Sequence, residues 1–361
     1  FAVALAPARR LDLESAIQLA TRLQRALSEP IGIRDANLYP SVSVGFALTT
    51  RLDRPGAADL LRAATLARIE AGRSGPGAIR SYSGAMRDRV SSRGDLASDV
   101  TGAMNRGEIS AFFQPQISTR TGDVTGFESL ARWHHPRRGL IPPAEFLPAL
   151  RQAGLMDRLG AHMVTEALAA LRLWDDAGLA VPRVGVNFST EELVDPHLVD
   201  RIRWELDRFA LTAGRLGIEV LETVVAGGAE DRVVRSLADL ARLGCALDLD
   251  DFGTGHASIT NIRRFAIGRI KIDRTFVTRI DADAEQQNMV AAILTMADRL
   301  GLDTLAEGVE TPEEQAMLAH LGCGHVQGFG IARPMPLKDA TRWLADRKVR
   351  SATPVPLRRI G

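Results

Sequence analysis

The sequence predicts an α/β fold, a (β/α)8-like, TIM-type barrel of about 250 residues preceded by a smaller α/β domain. Two observations lead to this prediction. Apolar strand candidates alternate with amphipathic helices from about residue 100 onward. Polar residues also recur at or just after the C-terminal ends of those strands, which is the rim where such barrels build active sites.

The smaller domain is predicted over residues 1–83. FAVAL is expected to be a short strand and DLESAIQLATRLQRALSEP an amphipathic helix, followed by a strand in YPSVSVGFAL and a helix in AADLLRAATLARIEAG. A stretch rich in Gly, Ser and Pro then marks the boundary. Residues 84–98 are expected to form a helical linker, residues 99–350 the barrel and residues 351–361 a tail.

The strand candidates of the barrel are short apolar runs that end in polar residues: RVGVNFS, RLGIEVLE, CALDLDDFG, RIKIDRTFV, LDTLAEGVE and HVQGFG. Helical stretches such as DRVVRSLADLARLG and NMVAAILTMADRLG lie between them. The polar residues expected at the C-terminal rim are Asn187, Glu219, Asp250, Asp251, Lys271 and Glu307.

The composition, 45% apolar and 25% charged with a net charge of +1, is that of a soluble globular protein. No global field favours nucleic acid or an anionic membrane as a partner, and no apolar run approaches a membrane span. Cys245 and Cys323 lack CxxC spacing, which excludes a thiolate zinc site and fits a cytoplasmic location with both thiols buried. Because the chain begins with Phe1, we expect a fragment of a longer protein.

Asp248 and Asp250 alternate in one strand and therefore share a face that should be dry. Unpaired buried carboxylates are costly, so a cation is expected at the end of this strand. Oxygen ligands suit Mg²⁺ or Mn²⁺, and two such ions can support phosphodiester hydrolysis. Lys271 needs anionic neighbours, either in a structural ion pair with Asp273 or another carboxylate, or as a cation that orients water or phosphate.

GFESLARWHHP resembles the signature of EAL domains, phosphodiesterases that open cyclic di-GMP to the linear pGpG, with Ser129 at the place of the namesake alanine. The similarity continues in order through FFQPQI, VNFS, IEVLE, DLDDFGTGHAS, RIKIDRTFV, LAEGVET and HVQGFGIARPMP. It covers roughly residues 99–346.

This resemblance implies a set of metal ligands: Glu128, Asn187, Glu219, Asp250, Asp251 and Glu307. Asp250 would bridge two ions, Lys271 would position the attacking water, and Glu307 would also be the general base. Glu222 would anchor the mobile loop DFGTGHAS, in which Gly253 and Gly255 permit unusual backbone angles. The positions that match substrate contacts are Gln114, Leu130, Arg132 and Gln327.

The chain departs from the EAL pattern at positions that are not ligands: Leu221, Asp248, His256 and Ala257. These departures bear on the rate more than on the reaction. Asp248 is expected to be protonated, hydrogen-bonded or paired with Lys271. His134 and His135 point to opposite sides without a third histidine nearby, so both are interpreted as rim residues.

FAVALAP resembles the residues that begin at the Phe of a GGDEF motif, the diguanylate cyclase signature. Later in that domain Thr65, Arg68, Ile69 and Gly72 replace residues of the active pattern, and Gly72 stands where a phosphate-contacting Lys is expected. We therefore expect a degenerate, regulatory GGDEF-like domain that does not convert GTP, although GTP binding or dimerisation remains open to it.

Three functions compete for the whole chain. The first is a metal-dependent cyclic di-GMP phosphodiesterase, which is expected to be a homodimer through the EAL domain. The alternative is a receptor that binds cyclic di-GMP without cleaving it and signals through the linker. A third, a scaffold for protein partners, leaves the buried carboxylates unexplained. A complete set of ligand positions favours the enzyme.

Overall fold

A computed structural model describes residues 1–5, 12–33, 36–38, 40–52, 56–226, 231–253, 262 and 265–352. The chain divides into two units, Phe1–Ser98 and Asp99–Gly361. Among the described residues, no helix is both long enough and apolar enough to cross a bilayer.

The first unit is small and mostly helical. Its elements are α1 (Leu13–Leu27), β1 (Ile31–Ile33), β2 (Ala36–Leu38), β3 (Val44–Phe46), a 3-10 turn (Thr49–Arg51), α2 (Ala57–Arg73) and β4 (Ile79–Ser81). Strands β1 and β2 pair antiparallel, whereas β3 and β4 pair parallel. Asp12 caps α1 by accepting a hydrogen bond from the Ser15 backbone N–H at 2.9 Å.

Both helices predicted in this unit are confirmed, but the strand predictions need correction. Residues 1–5 form no strand, and Phe1 and Val3 are exposed. A strand requires a hydrogen-bonded neighbour, and none of the described strands pairs with this segment. The strand predicted in YPSVSVGFAL is limited to Val44–Phe46. A single helix, α3 (Gly84–Asn105), runs through the residues predicted as a linker.

The second unit contains a closed barrel. Its strands are β5 (Ile109–Ser118), β6 (Val124–His135), β8 (Val184–Asn187), β9 (Leu216–Leu221), β10 (Ala246–Phe252), β11 (Arg269–Ile272), β12 (Asp303–Ala306) and β13 (His325–Gln327), with two short strands, β7 (Gly139–Ile141) and β14 (Met335–Pro336), at its margins. The helices around it are α4 (Pro143–Gln152), α5 (Met156–Asp176), α6 (Thr190–Leu193), α7 (Leu198–Arg208), α8 (Glu222–Ala226), α9 (Asp231–Leu243), α10 (Arg274–Val277), α11 (Ala284–Leu300), α12 (Pro312–Leu321) and α13 (Leu337–Ala352).

The predicted barrel is confirmed, with one difference in strand direction. Strands β6 and β8 to β13 run parallel in chain order. Strand β5 closes the barrel and is antiparallel to both of its neighbours, β6 and β13. The short hairpin from β5 to β6 leaves no room for a crossover helix, and a parallel connection would need one.

Alternation along the strands separates the core from the barrel interior. In β11, Ile270 and Ile272 are fully buried, and Ile272 packs in a cluster with Val290 and Leu294 of α11. Arg269 and Lys271 occupy the other face of the same strand and are also buried. In this strand the outer face therefore contributes to an apolar core, and the inner face presents charged side chains to the inside of the barrel.

Candidate active site

The C-terminal ends of neighbouring strands bring the predicted rim residues together. Asn187 is the last residue of β8, Glu219 lies in β9 and Lys271 in β11, and Glu307 directly follows β12. Side chains of β6 add a further row, because Glu128, Leu130 and Arg132 share one face at two-residue spacing. Asn187, Glu219, Lys271 and Glu307 thus lie at or near strand ends, as expected from the sequence.

A β-bulge allows the adjacent Asp250 and Asp251 to serve one site. Leu249 pairs with Ile270 and Phe252 with Ile272, so two residues of β10 oppose the single Lys271 of β11. In a regular strand, adjacent side chains would point to opposite faces. Asp251 adopts a left-handed backbone with φ of 54°, which aspartate tolerates better than most residues. Asp250 and Asp251 therefore approach Glu307 together.

Lys271 lies at the centre of the carboxylates and is completely buried. Its Nζ is 2.6 Å from Glu219 Oε2, 2.7 Å from Glu307 Oε1 and 3.0 Å from Asp250 Oδ1. Glu128 Oε2 lies 3.6 Å away. The contact with Glu219 is a hydrogen bond in which Lys271 donates, and an ammonium group has three N–H donors.

One ammonium does not balance this many carboxylates, and the pKa values reflect the excess negative charge. Burial raises the pKa of Glu219 well above its usual value despite the nearby Lys271. Burial likewise raises the pKa of Glu307 to about 8, and burial together with Asp250 raises that of Asp251 to about 6. Burial also acts on Glu128, but Lys271 and a hydrogen bond from Gln327 outweigh it and lower its pKa. The site would accommodate additional positive charge.

The geometry fits divalent cations. Two groups of carboxylates each bring their oxygens within 4.8 Å of one another, Glu128, Glu219 and Asp250 in one and Asp250, Asp251 and Glu307 in the other. Asp250 belongs to both groups, as a bridging ligand would. Among the described residues, Glu219 Oε1 is buried without a hydrogen-bond partner, which is costly unless something else binds it. All-oxygen ligands suit a hard ion of the Mg²⁺ or Mn²⁺ type.

The positions predicted to contact substrate lie beside these carboxylates. Gln327 donates to Glu128 Oε2 at 2.6 Å and to Gln114 Oε1 at 3.1 Å. Asn187 donates to Glu128 Oε1 at 2.9 Å, so both oxygens of Glu128 are held. Arg132 is half-buried and lies over the Phe112 ring at 5.8 Å.

The start of the predicted mobile loop is tied to Glu222. The Gly253 backbone N–H donates to Glu222 Oε2 at 2.9 Å, and Glu222 is buried. Gly253 has φ of 101°, and a Cβ there would lie 2.6 Å from the Phe276 ring, so only glycine fits. Leu221 is exposed. The predictions for Gly255, His256 and Ala257 concern residues outside the described part of the chain.

Of the alternatives that the sequence left open, a hydrogen-bonded Asp248 and a Lys271 paired with neighbouring carboxylates are confirmed. Pairing of Lys271 with Asp248 or with Asp273 is not observed among the described residues. Asp248 is fully buried and pairs with Arg269, not with Lys271. The two lie one layer deeper in the barrel, two residues before Asp250 and Lys271 in their strands. Asp273 does not serve as the counterion of Lys271 but caps α10, where it accepts from the Thr275 N–H at 2.9 Å. The physical reason is the same in both cases, because side chains in one layer pair across strands rather than along them.

His134 and His135 differ from each other in burial. His134 is exposed, with Nε2 at 3.2 Å from Ser110 Oγ. His135 is buried, and its Nε2 lies 3.2 Å from Asp99 of α3. The rim interpretation thus describes His134, whereas His135 connects β6 to a helix.

Sequence reasoning did not identify two buried residues next to the site, Gln116 and Arg269. Arg269 Nη1 donates to Gln116 Oε1 at 3.0 Å, and Gln116 Nε2 donates to Gln327 Oε1 at 2.8 Å. A signal was present in the sequence. Gln116 and Arg269 each lie two residues from a predicted site residue, Gln114 and Lys271, and hence on the same inward face.

Fold and site together define a barrel protein with an acidic centre at its C-terminal rim that could hold a cation. Residues 97–334 match the family described as EAL domain, about two thirds of the chain. The chain belongs to the EAL domain family.

Two curated relatives are similar over most of this chain. The chain is 33% identical over 321 residues to the bifunctional diguanylate cyclase/cyclic di-GMP phosphodiesterase MucR of Pseudomonas aeruginosa, covering 89% of this chain and 47% of MucR. It is 32% identical over 331 residues to the cyclic di-GMP phosphodiesterase PdeR of Escherichia coli, covering 91% of this chain and 50% of PdeR. The chain thus spans about half the length of these relatives.

A solved structure of the PaMucR phosphodiesterase in complex with c-di-GMP is similar to the barrel unit. The TM-score is 0.65 at 36% sequence identity, and the match covers 68% of this chain and 99% of that one.

Proposed function

We propose that this chain hydrolyses cyclic di-GMP to the linear dinucleotide pGpG in a reaction that depends on Mg²⁺ or Mn²⁺. The observation that carries this proposal is the pair of carboxylate groups that share Asp250 at the barrel rim. Membership of the EAL domain family and similarity to proteins named cyclic di-GMP phosphodiesterases support it.

The proposed cation ligands are the rim residues that surround Lys271: Glu128, Asn187, Glu219, Asp250, Asp251 and Glu307. Two ions held there would supply an activated water and stabilise the charge that develops on the phosphodiester. Glu128 is held ready by hydrogen bonds to both of its oxygens, from Asn187 and Gln327.

The remaining side chains act on water and substrate. Lys271 holds its N–H groups at the centre of the site, where we propose that one orients the attacking water. Glu307 is the proposed proton acceptor, since burial raises its pKa to about 8 even though Lys271, 2.7 Å away, opposes the shift, and a pKa near the operating pH suits a general base. The Arg132 guanidinium can clamp a phosphodiester with two parallel donors, next to Gln114, Leu130 and Gln327.

The first unit is proposed to be a degenerate GGDEF-like domain with a regulatory role. Gly72 lies near the end of α2, where the active pattern requires a lysine. GTP binding without turnover and homodimerisation through the barrel unit belong to this proposal. Full-length protein that converts GTP to cyclic di-GMP would contradict it.

The test is a chromatographic assay of cyclic di-GMP with Mg²⁺ or Mn²⁺, run beside a binding titration in Ca²⁺, a larger ion with looser coordination. Formation of pGpG supports hydrolysis. Tight binding in all three ions without product would instead identify a cyclic di-GMP receptor.

A further inference from the structure

A second polar layer lies directly beneath the candidate active site. Asp248, Arg269 and Gln116 are 0%, 1% and 1% exposed. Glycines on two neighbouring strands border this layer and the site layer above it. A Cβ on Gly126 would lie 2.9 Å from the Arg183 carbonyl oxygen and 3.4 Å from Gln116 Oε1, and one on Gly185 would lie 1.9 Å from Glu219 Oε1 in the site layer. The interior is therefore shaped around long polar side chains.

Hydrogen bonds connect this layer to the site above it. Arg269 donates to Gln116 at 3.0 Å, Gln116 donates to Gln327 at 2.8 Å, and Gln327 donates to Glu128 at 2.6 Å. A branch continues from Gln327 to Gln114 at 3.1 Å, and Gln114 donates to the Ala332 carbonyl at 3.1 Å. In every hydrogen bond of this series, the donor is the side chain nearer to Arg269. We call this chain of side chains the glutamine relay.

Donor chemistry dictates the direction of the glutamine relay. A guanidinium group can only donate, so Gln116 must turn its oxygen toward Arg269 and its NH₂ toward Gln327. Gln327 must then accept from Gln116 with its oxygen, which turns its own NH₂ toward Glu128. Without a fixed donor at the base, both amides could rotate, and Gln327 could present its oxygen to the Glu128 carboxylate.

Asp248 explains how a buried Arg269 is tolerated. Its Oδ2 accepts from Arg269 Nη2, and its Oδ1 is 4.0 Å from Arg183 Nη1. A buried charge is costly without a partner. Asp248 supplies one for Arg269 Nη2, whereas Arg269 Nε and Asp248 Oδ1 have no hydrogen-bond partner among the described residues. The carboxylate that departs from the EAL pattern is thus the counterion of the guanidinium at the base of the relay.

We propose that Arg269 is a positioning residue, which acts through Gln116 and Gln327 to present an N–H rather than a carbonyl oxygen to Glu128. The inference rests on the proposed function, because it assigns the relay to a side chain that would hold a cation. Groups that orient metal ligands from behind typically contribute about 10–100-fold to metal affinity.

The first experiment reverses the relay with an almost isosteric change, Gln116→Glu. The new carboxylate pairs with Arg269, which favours its ionised form, so it can only accept from Gln327. Gln327 must then turn its NH₂ toward the new carboxylate and its oxygen toward Glu128. Calorimetric titration of the full chain with Mn²⁺ alone should show affinity reduced at least about tenfold at an unchanged melting temperature. Gln152→Glu at the exposed end of α4 is the matched control and should bind as wild type.

The second experiment removes the ion pair without leaving a lone charge, in the double variant Asp248→Leu with Arg269→Met. If the pair only fills the barrel, apolar replacements should keep or raise stability and leave Mn²⁺ affinity unchanged. If Arg269 directs the relay, Mn²⁺ affinity and kcat should fall together about tenfold or more while the fold is retained.

These readouts separate the relay from the proposed function. Mn²⁺ affinity within twofold of wild type in Gln116→Glu overturns the relay, even if cyclic di-GMP is hydrolysed. If Gln116→Glu does not fold, the same threshold applies to the double variant. A wild-type chain that binds Mn²⁺ but releases no pGpG contradicts the proposed function, and the Mn²⁺ affinities of the variants still decide the relay.

Discussion

Replacing Lys271 by methionine should destabilise the barrel unit strongly, and Mn²⁺ should restore much of the loss. Methionine keeps the length of the side chain and removes the ammonium. The change leaves Glu219, Asp250 and Glu307 without the partner that now lies 2.6–3.0 Å from each. Their mutual repulsion is then opposed only by proton uptake.

The size of the effect follows from burial. Lys271 is 0% exposed, and removing one partner of a buried ionic cluster costs about 3–5 kcal/mol. At roughly 2–4 °C per kcal/mol for a unit of this size, the melting temperature should fall by roughly 6–20 °C in EDTA. An ion at a free concentration of about 100 times its Kd stabilises the folded chain by about 2.7 kcal/mol.

The assay is thermal unfolding of wild type and Lys271→Met, each in EDTA and in Mn²⁺. Mn²⁺ should raise the melting temperature of the variant more than that of wild type, because the ion meets more uncompensated negative charge. Lys338→Met, at an exposed position of α13, is the matched control and should melt as wild type. The reasoning is refuted if Lys271→Met melts like wild type in EDTA, or if Mn²⁺ stabilises both equally.

Three further predictions concern single carboxylates. Glu128→Ala should abolish pGpG formation at an unchanged fold, and retained turnover in a chromatographic assay would refute its assignment as a ligand. Glu222→Ala removes the acceptor of the Gly253 N–H and should lower kcat about tenfold or more with little change in melting temperature; unchanged steady-state kinetics would contradict this. Burial raises the pKa of Glu192 from 4.5 to about 7, opposed by hydrogen bonds from Ser189. The folded chain therefore binds this proton more tightly than the unfolded chain, so the associated stability is complete below about pH 4.5 and is lost as the pH rises through 7, on the order of 3 kcal/mol in total. In urea unfolding at pH 5 and pH 8, Glu192→Gln should lose less stability than wild type between these values, and identical pH dependence would contradict the assignment.

The sequence by itself determined the order of strands and helices in the barrel and the rim where polar residues meet. Alternation within RIKI separates the core isoleucines from the inward Arg269 and Lys271, because side chains change face at every residue of a strand. The same logic placed Asn187, Glu219 and Glu307 at neighbouring strand ends. These features depend on local periodicity, which a single sequence displays directly.

Only the tertiary structure decided which groups pair across strands. The bulge opposite Lys271 brings Asp250 and Asp251 to one site, and it depends on the register between β10 and β11. The partner of Asp248 is likewise set by the register, which aligns Asp248 with Arg269 directly. Strand registers and the pairing of β5 with both β6 and β13 arise from contacts between residues that are distant in the chain. Local periodicity therefore does not predict them.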